Sequence, residues 1–226
     1  MSLERRMVNL MLCRMLICAT VAGVLWSPIA AVAHPHILAS VSLELTRDSE
    51  ENFVSLKNAW LYDPGYTAFA MRDIDRDGDR NASEEELLEF SAQQIEALGK
   101  FNYFTKIMID DVEVPFSNPT DYALTKSPDG GLTLSFELSL DAYSGNGRVA
   151  TIEVFDPNFF AYFTFPKDGA AMSVSGGSAG CDTATTGPEA IDLKLTRDIP
   201  KAFWAALDGS VTDGHLFLNE AVVSCQ

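Results

Sequence analysis

Leu132-Thr133-Leu134-Ser135-Phe136-Glu137-Leu138-Ser139-Leu140 decides the fold class. Five large apolar residues alternate with four polar ones, so the segment reads as a half-buried strand with one face on a core. On a helix the same residues would be scattered around the whole circumference. Pro128-Asp129-Gly130-Gly131 stands directly before it and is a hairpin turn signal, which places a partner strand at 121–126. The alternation recurs earlier: Ile37, Ala39, Val41, Leu43 and Leu45 interleave with Leu38, Ser40, Ser42 and Glu44, and residues 53–62 form the hairpin partner across Arg47–Asn52. Further strands are expected at 103–109, 112–116, 148–155, 159–165, 190–196 and 215–223, with Asp110-Asp111 turning between the first two. Turn signals at this spacing imply a mainly β, antiparallel sandwich-like domain.

Helical periodicity is concentrated in one insertion at about 65–99, which makes the class α+β. The first helix is expected over Tyr66–Ile74 and the second over Glu84–Leu98. In the second, Leu87/Leu88, Ser91, Ile95 and Leu98 share a face, and Gly99 is placed as a C-cap. A short helix at 199–207 is a further candidate.

The 226 residues carry 32 acidic and 16 basic side chains, a formal charge of −16. The first 33 residues run against that balance, with Arg5, Arg6 and Arg14 against Glu4 alone. An apolar run, Met15–Trp26, follows, and then Ala31-Val32-Ala33, the small-x-small pattern at which a secretory leader is cut. Residues 1–33 are therefore expected to be a signal peptide and residues 34–226 a single exported, periplasmic domain. An uncleaved anchor is disfavoured because the run is short for a bilayer. A lipoprotein at Cys18 is disfavoured because bulky Ile17 precedes it. Without the leader the acids number 31 against 13 bases. Such a surface excludes nucleic-acid backbones and anionic membranes as partners and favours cations or basic proteins. Cleavage removes Cys13 and Cys18, and the remaining Cys181 and Cys225 are expected to form one disulfide in an oxidising compartment.

Between the expected helices lies Asp73-Ile74-Asp75-Arg76-Asp77-Gly78-Asp79-Arg80-Asn81-Ala82-Ser83-Glu84-Glu85-Glu86. Alternating aspartates that pass through a glycine and close on glutamate are the pattern of an EF-hand calcium loop, which supplies six to eight oxygens. Two registers compete. One begins at Asp73 and closes on Glu84, with Gly78 at the sixth position. The other uses Asp75, Asp77, Asp79, Asn81, Ser83 and Glu86, with Ile74 and Met71 as the apolar approach and Leu87 as the first core residue beyond. The second is favoured, although it sets Arg80 where a left-handed glycine is usual, a cost of about 1 kcal/mol. Ser83-x-x-Glu86 is also a capping box, but a cap needs only two or three of these residues. Four aspartates spaced by two repel one another unless a cation joins them.

Cleavage after Ala33 would expose His34-Pro35-His36 beside a free amine, a ligand set for nickel, cobalt, zinc or copper. Pro35 has no N–H and blocks the square-planar amide chelate. His215 is the third imidazole and joins the set only if the last strand lies near the first. The alternative is two surface histidines at the start of a strand. Gly176-Gly177-Ser178-Ala179-Gly180 matches the G-x-S-x-G elbow, but no helix is expected after it, and a glycine turn accounts for it better. No nucleophile–base set is visible, so no enzymatic activity is expected. The Asn81-Ala82-Ser83 glycosylation triplet is incidental.

Ala33-His34-Pro35-His36, Trp60 to Asp63, Ala68-Phe69-Ala70, Phe101-Asn102-Tyr103-Phe104, Phe155-Asp156-Pro157-Asn158-Phe159-Phe160, Gly180-Cys181 and Val223-Ser224-Cys225 come in this order over nearly all of the exported chain. In order and spacing they resemble the DUF1007 family. The resemblance implies a periplasmic component of an uncharacterised transport system, an accessory of nickel, cobalt or zinc transport partnered with an inner-membrane transporter. His34 and His36 match the family's His-Pro-His as candidate ligands. Arg80 departs from the glycine usual in the family's acidic loop. The expectation is a metal-ion-handling accessory protein with a structural Ca2+ site. The alternative is a calcium-stabilised envelope interaction module with no transition-metal role.

Overall fold

The computed structural model describes residues 37–140, 143, 147–158, 160–167, 171–177, 180–188 and 217–226, all within the unit His34–Gln226. The expected elements at 190–196 and 199–207 lie outside these residues. None of the helices described is long and apolar enough to cross a membrane.

The strands Ile37–Arg47, Phe53–Tyr62 and Leu132–Ser139 lie where alternation puts them, whereas Met172–Gly176 and Cys181–Thr186 are strands that it does not predict. The last strand runs over Asn219–Cys225 instead of 215–223. β1 (Ile37–Arg47) and β2 (Phe53–Tyr62) form the first hairpin. β3 (Thr105–Ile109) and β4 (Val112–Glu113) form a second. Asp110 and Asp111 turn between them at φ 48° and 65°, the paired left-handed geometry of a tight hairpin. β4 is shorter than expected, ending at Glu113. β5 (Tyr122–Lys126) and β6 (Leu132–Ser139) flank the Pro128–Gly131 turn, in which Gly130 has φ 90°. In β6 the side chains of Leu132, Leu134, Phe136 and Leu138 are all buried, and those between them are half-buried. β7 (Val149–Val154), β8 (Ala161–Thr164), β9 (Met172–Gly176), β10 (Cys181–Thr186) and β11 (Asn219–Cys225) complete the set.

One sheet has the order β5-β6-β2-β1-β8, with β9 also on β1. The other has the order β10-β11-β7-β3-β4 and is antiparallel throughout. The first sheet corrects the antiparallel expectation, because β8 pairs in parallel with Ile37–Ser40 and β9 in parallel with Leu43–Arg47. A parallel pair needs a long crossover, and here both helices and most of the second sheet intervene between β1 and β8. All four β8 residues are buried, as befits a strand covered on both faces. Buried residues of both sheets belong to one cluster, Val41, Leu56 and Phe136 together with Ile107, Ile152 and Val223. Trp60 lies within it, its ring 4.8 Å from Phe163, 5.0 Å edge-on from Phe136 and 6.5 Å from Phe104.

α1 (Pro64–Ile74) and α2 (Glu84–Gly99) form the insertion. Asp63 starts α1: its Oδ1 accepts from the Gly65 and Tyr66 amides at 2.7 and 3.1 Å. Its Oδ2 accepts from the Leu38 amide of β1 at 3.1 Å, so one buried carboxylate fastens the helix to the sheet. In α2, Ser91 and Ile95 are buried, whereas Leu88 is exposed and does not join their face. Gly99 does not cap the helix by a left-handed turn: it is the last helical residue, and the C-cap is Lys100 in right-handed conformation. Its reason is space, since a Cβ there would sit 3.1 Å from the Tyr103 hydroxyl. The left-handed residues come next, Asn102, Tyr103 and Phe104 at φ 51°, 53° and 48°, each costing roughly 1–2 kcal/mol. Offsetting that cost, Asn102 Nδ2 donates to the Thr105 carbonyl at 3.0 Å, the Tyr103 hydroxyl donates to Asn118 Oδ1 at 3.0 Å, and Phe104 packs on Phe163 at 5.7 Å.

Cys181 and Cys225 are directly paired across β10 and β11 and form a disulfide 44 residues apart in sequence. Its closure of the unfolded chain stabilises the fold by on the order of 3–4 kcal/mol in the loop-entropy model. Replacing both cysteines by alanine should lower the urea-unfolding free energy by about that amount, with no further effect of a reductant. An unchanged midpoint would show that the β10–β11 pairing holds without the bridge.

Candidate metal centre

The loop between α1 and α2 is built from short local bonds. Asp77 Oδ1 accepts from the Asp79 amide at 3.1 Å, Asp79 Oδ1 from the Asn81 amide at 2.7 Å, and Asp75 Oδ2 from the Arg80 amide at 3.0 Å. These aspartate turns coil the chain back on itself. Gly78 takes φ 76° without strain, and Arg80 takes φ 69°, so Arg80 does occupy the left-handed position that the Asp75 register assigns to it.

The expected capping box is present. The Glu86 amide donates to Ser83 Oγ, and Glu86 Oε2 accepts from the Ser83 amide at 2.9 Å and from its hydroxyl at 2.7 Å. The Arg76 amide donates to Glu86 Oε1 at 2.9 Å, joining the start of the loop to its end. Bonds from Ser83, then Arg76 and Asp77, hold the Glu86 carboxyl down at about 2. The Arg76 guanidinium meets both Glu89 oxygens at 2.7 Å. Sequence reasoning missed this contact, because the two residues are 13 apart and belong to no local pattern.

Asp75, Asp77 and Glu86 each bring a carboxylate oxygen within 4.8 Å of the others. Asp79, Asn81 and Ser83 lie on the same turn but are not part of that trio. Of the alternative register, Asp73 is in the last turn of α1 and Glu84 in the first turn of α2, and neither joins the trio. Asp75 Oδ1 is buried and has no hydrogen-bond partner, a costly state for a carboxylate oxygen that a cation would relieve. Three carboxylates, one of them with an orphaned oxygen, together with further loop oxygens fit a hard, oxygen-seeking ion such as calcium. His34, His36 and His215 lie outside the described residues. Gly176 and Gly180 are separated from the next element by no helix: Cys181–Thr186 is a strand, so the elbow geometry is missing. Gly176 instead takes φ 70° where a Cβ would lie 2.0 Å from the Arg47 carbonyl.

Fold and site thus define a β-rich α+β protein carrying an acidic helix–loop–helix. The chain belongs to DUF1007, a protein family of unknown function whose profile matches residues 18–225. No curated protein matches it.

Because the Glu86 carboxyl sits at about 2 in the fold against an ordinary 4.5, its cap is at full strength above pH 4.5 and is lost as pH falls toward 2. In cation-free protein, α2 should fray over that window, as read by amide exchange at residues 84–88. Glu86→Gln should remove the pH dependence. A wild-type profile that stays flat down to pH 2 would contradict the assignment.

Proposed function

We propose that the chain is an exported binding module whose helix–loop–helix is braced by a calcium ion. Asp75, Asp77 and Glu86 hold the ion, with Asp79, Ser83 and the Asn81 carbonyl completing an EF-hand-like set. The observation that carries this reading is the buried, partnerless Asp75 Oδ1 beside two converging carboxylates. The two sheets stack as a sandwich over the shared core. The disulfide and the leader-like N-terminus support a periplasmic location, where calcium is plentiful enough to fill a site of modest affinity.

Calcium at about 100 times its Kd should raise the melting temperature by ~5–10 °C. Glu86→Gln should abolish the shift, and Asp73→Asn with Glu84→Gln should leave it. A shift lost in the second variant and kept in the first would establish the other register. Because Arg80 is left-handed in the loop as it stands, Arg80→Gly should raise the urea-unfolding free energy by about 1 kcal/mol with or without calcium. A lower unfolding free energy in both conditions would contradict it.

A second reading, a transition-metal accessory of an inner-membrane transporter, is favoured by one observation. Ile37 and Leu38, which follow His36, pair with Ala161 and Tyr162 of β8. Phe217, two residues after His215, packs its ring 5.9 Å from Tyr162. The last strand pairs in the other sheet, yet Leu38 and Phe217, described residues close in sequence to these histidines, both lie beside Tyr162. His34, His36 and His215 would then share a nickel, cobalt, zinc or copper ion. Calorimetry on protein beginning at His34 should show one site per chain that His34→Ala with His36→Ala removes. Affinity no tighter than millimolar would overturn this reading and leave the calcium module standing.

A further inference from the structure

Among the described residues Arg47, at the end of β1, is the only buried cation, its side chain 3 % exposed. The turn that follows β1 holds it in place. Nε and Nη2 donate to the Glu51 carbonyl at 3.2 and 3.1 Å, and Nη1 lies 2.8 Å from the Glu51 carboxylate. The Phe53 ring lies under the guanidinium, 5.7 Å away. Glu51 takes φ 69° to make these contacts, and Gly177 takes φ 67° where a Cβ would lie 2.6 Å from Glu51 Oε2. Fixed in this way, the guanidinium also donates from Nη1 to Cys181 Sγ at 3.4 Å.

That last contact suits the reduced chain better than the oxidised one. A disulfide sulfur is neutral and a weak acceptor, whereas a thiolate in the same place is charged and accepts strongly. A cation beside a cysteine favours its thiolate and makes that sulfur the better leaving group. The two sulfurs also differ in access. Cys225 is buried, whereas Cys181 is half-exposed and opens a strand whose other five residues are exposed. Glu51 shares Nη1 with the sulfur, and its charge opposes the thiolate. Asp182 follows Cys181 but is exposed, and Arg148 meets Cys225 through its carbonyl, which accepts the Cys225 amide at 2.8 Å.

We propose that Cys181–Cys225 is a thiol–disulfide exchange site for a dithiol, with Arg47 placed to hold Cys181 as a thiolate in the reduced chain. The dithiol supplies two electrons. Its first thiolate attacks the accessible Cys181 Sγ, the bridge breaks, and Cys225 leaves, taking up the proton that the attacking thiol released. Its second thiol loses a proton to solvent and attacks the first thiol's sulfur. The mixed disulfide breaks, the dithiol leaves as a cyclic disulfide, and Cys181 departs as the thiolate beside Arg47. β10 then keeps its ladder to β11 but loses its covalent tie. The proposal is independent of the ion.

The test uses the full chain with Cys13→Ser and Cys18→Ser, and dithiothreitol as the dithiol. Dithiothreitol should reduce the bridge in the folded protein and speed amide exchange at residues 183–186 about tenfold, with β6 still protected. A bridge that opens only when the chain unfolds would overturn the proposal, as would exchange in β10 that reduction leaves unchanged. Adding Cys225→Ser leaves Cys181 as the single thiol. In that background Arg47→Gln should slow its alkylation by iodoacetamide at neutral pH about threefold, and Arg47→Lys should restore part of the rate. Glu51→Gln, which keeps the cation and removes the opposing charge, should speed alkylation. Should Arg47→Gln lose its cooperative melting transition, Glu51→Gln decides: a rate equal to or below the parent's would overturn the role of Arg47. Equal rates in folded Arg47→Gln and its parent would overturn it as well.

Discussion

The helical pair depends on one buried carboxylate. Asp63 accepts from two amides at the start of α1 and from the Leu38 amide at the start of β1. Pro64 follows at the first helical position, where its missing N–H costs nothing. The helix direction is therefore fixed to the strand that anchors the first sheet. From that joint follow the position of the acidic loop at the far end of α1 and of Tyr66 and Phe69 along its flank. The Asp63 amide also donates to the Leu38 carbonyl at 2.9 Å, so backbone and carboxylate together hold the start of α1 on β1, the carboxylate by a charge-assisted bond.

The loop serves two purposes with the same atoms. As a cap, Ser83 and Glu86 satisfy amides that any helix leaves unpaired, and Glu84 and Glu85 complement its dipole. As a candidate cation site, Asp75, Asp77 and Glu86 converge more closely than capping requires. The two uses compete at one atom: Glu86 Oε2 already accepts from both the Ser83 amide and the Ser83 hydroxyl, so an ion that engages both Glu86 oxygens must displace the hydroxyl bond. Arg80 marks a compromise. Its left-handed backbone is the shape the loop needs, obtained with a residue that resists it.

Much of the fold was legible because burial follows period. β1, β2 and β6 each present alternate side chains to the core, and alternation shows in the letters alone. β9 and β10 were missed for the same reason in reverse. Met172–Gly176 and Cys181–Thr186 have little buried apolar surface, and their order comes from backbone pairing with β1 and β11, which leaves no trace in hydropathy. Parallel pairing of β8 was equally hidden, since a four-residue buried run has no direction. In the site, spacing by two marked Asp75 and Asp77, the closing position of the loop pattern marked Glu86, and Ser83-x-x-Glu86 marked the start of α2. The contact between Arg47 and Cys181 was not legible, because residues 134 apart meet only through tertiary packing. Gly99 shows the limit of a local rule: a glycine after a helical run suggested a cap, but what it meets is the Tyr103 hydroxyl, which crowds the space a side chain would take.

We propose that one hard cation closes the Asp75–Glu86 loop, and crystals of the chain grown in saturating calcium decide it. They should show a single ion roughly 2.3–2.6 Å from oxygens of Asp75, Asp77 and Glu86, with both Glu86 oxygens engaged. An ion ligated through Asp73 and Glu84, or a loop that binds none under those conditions, would contradict it.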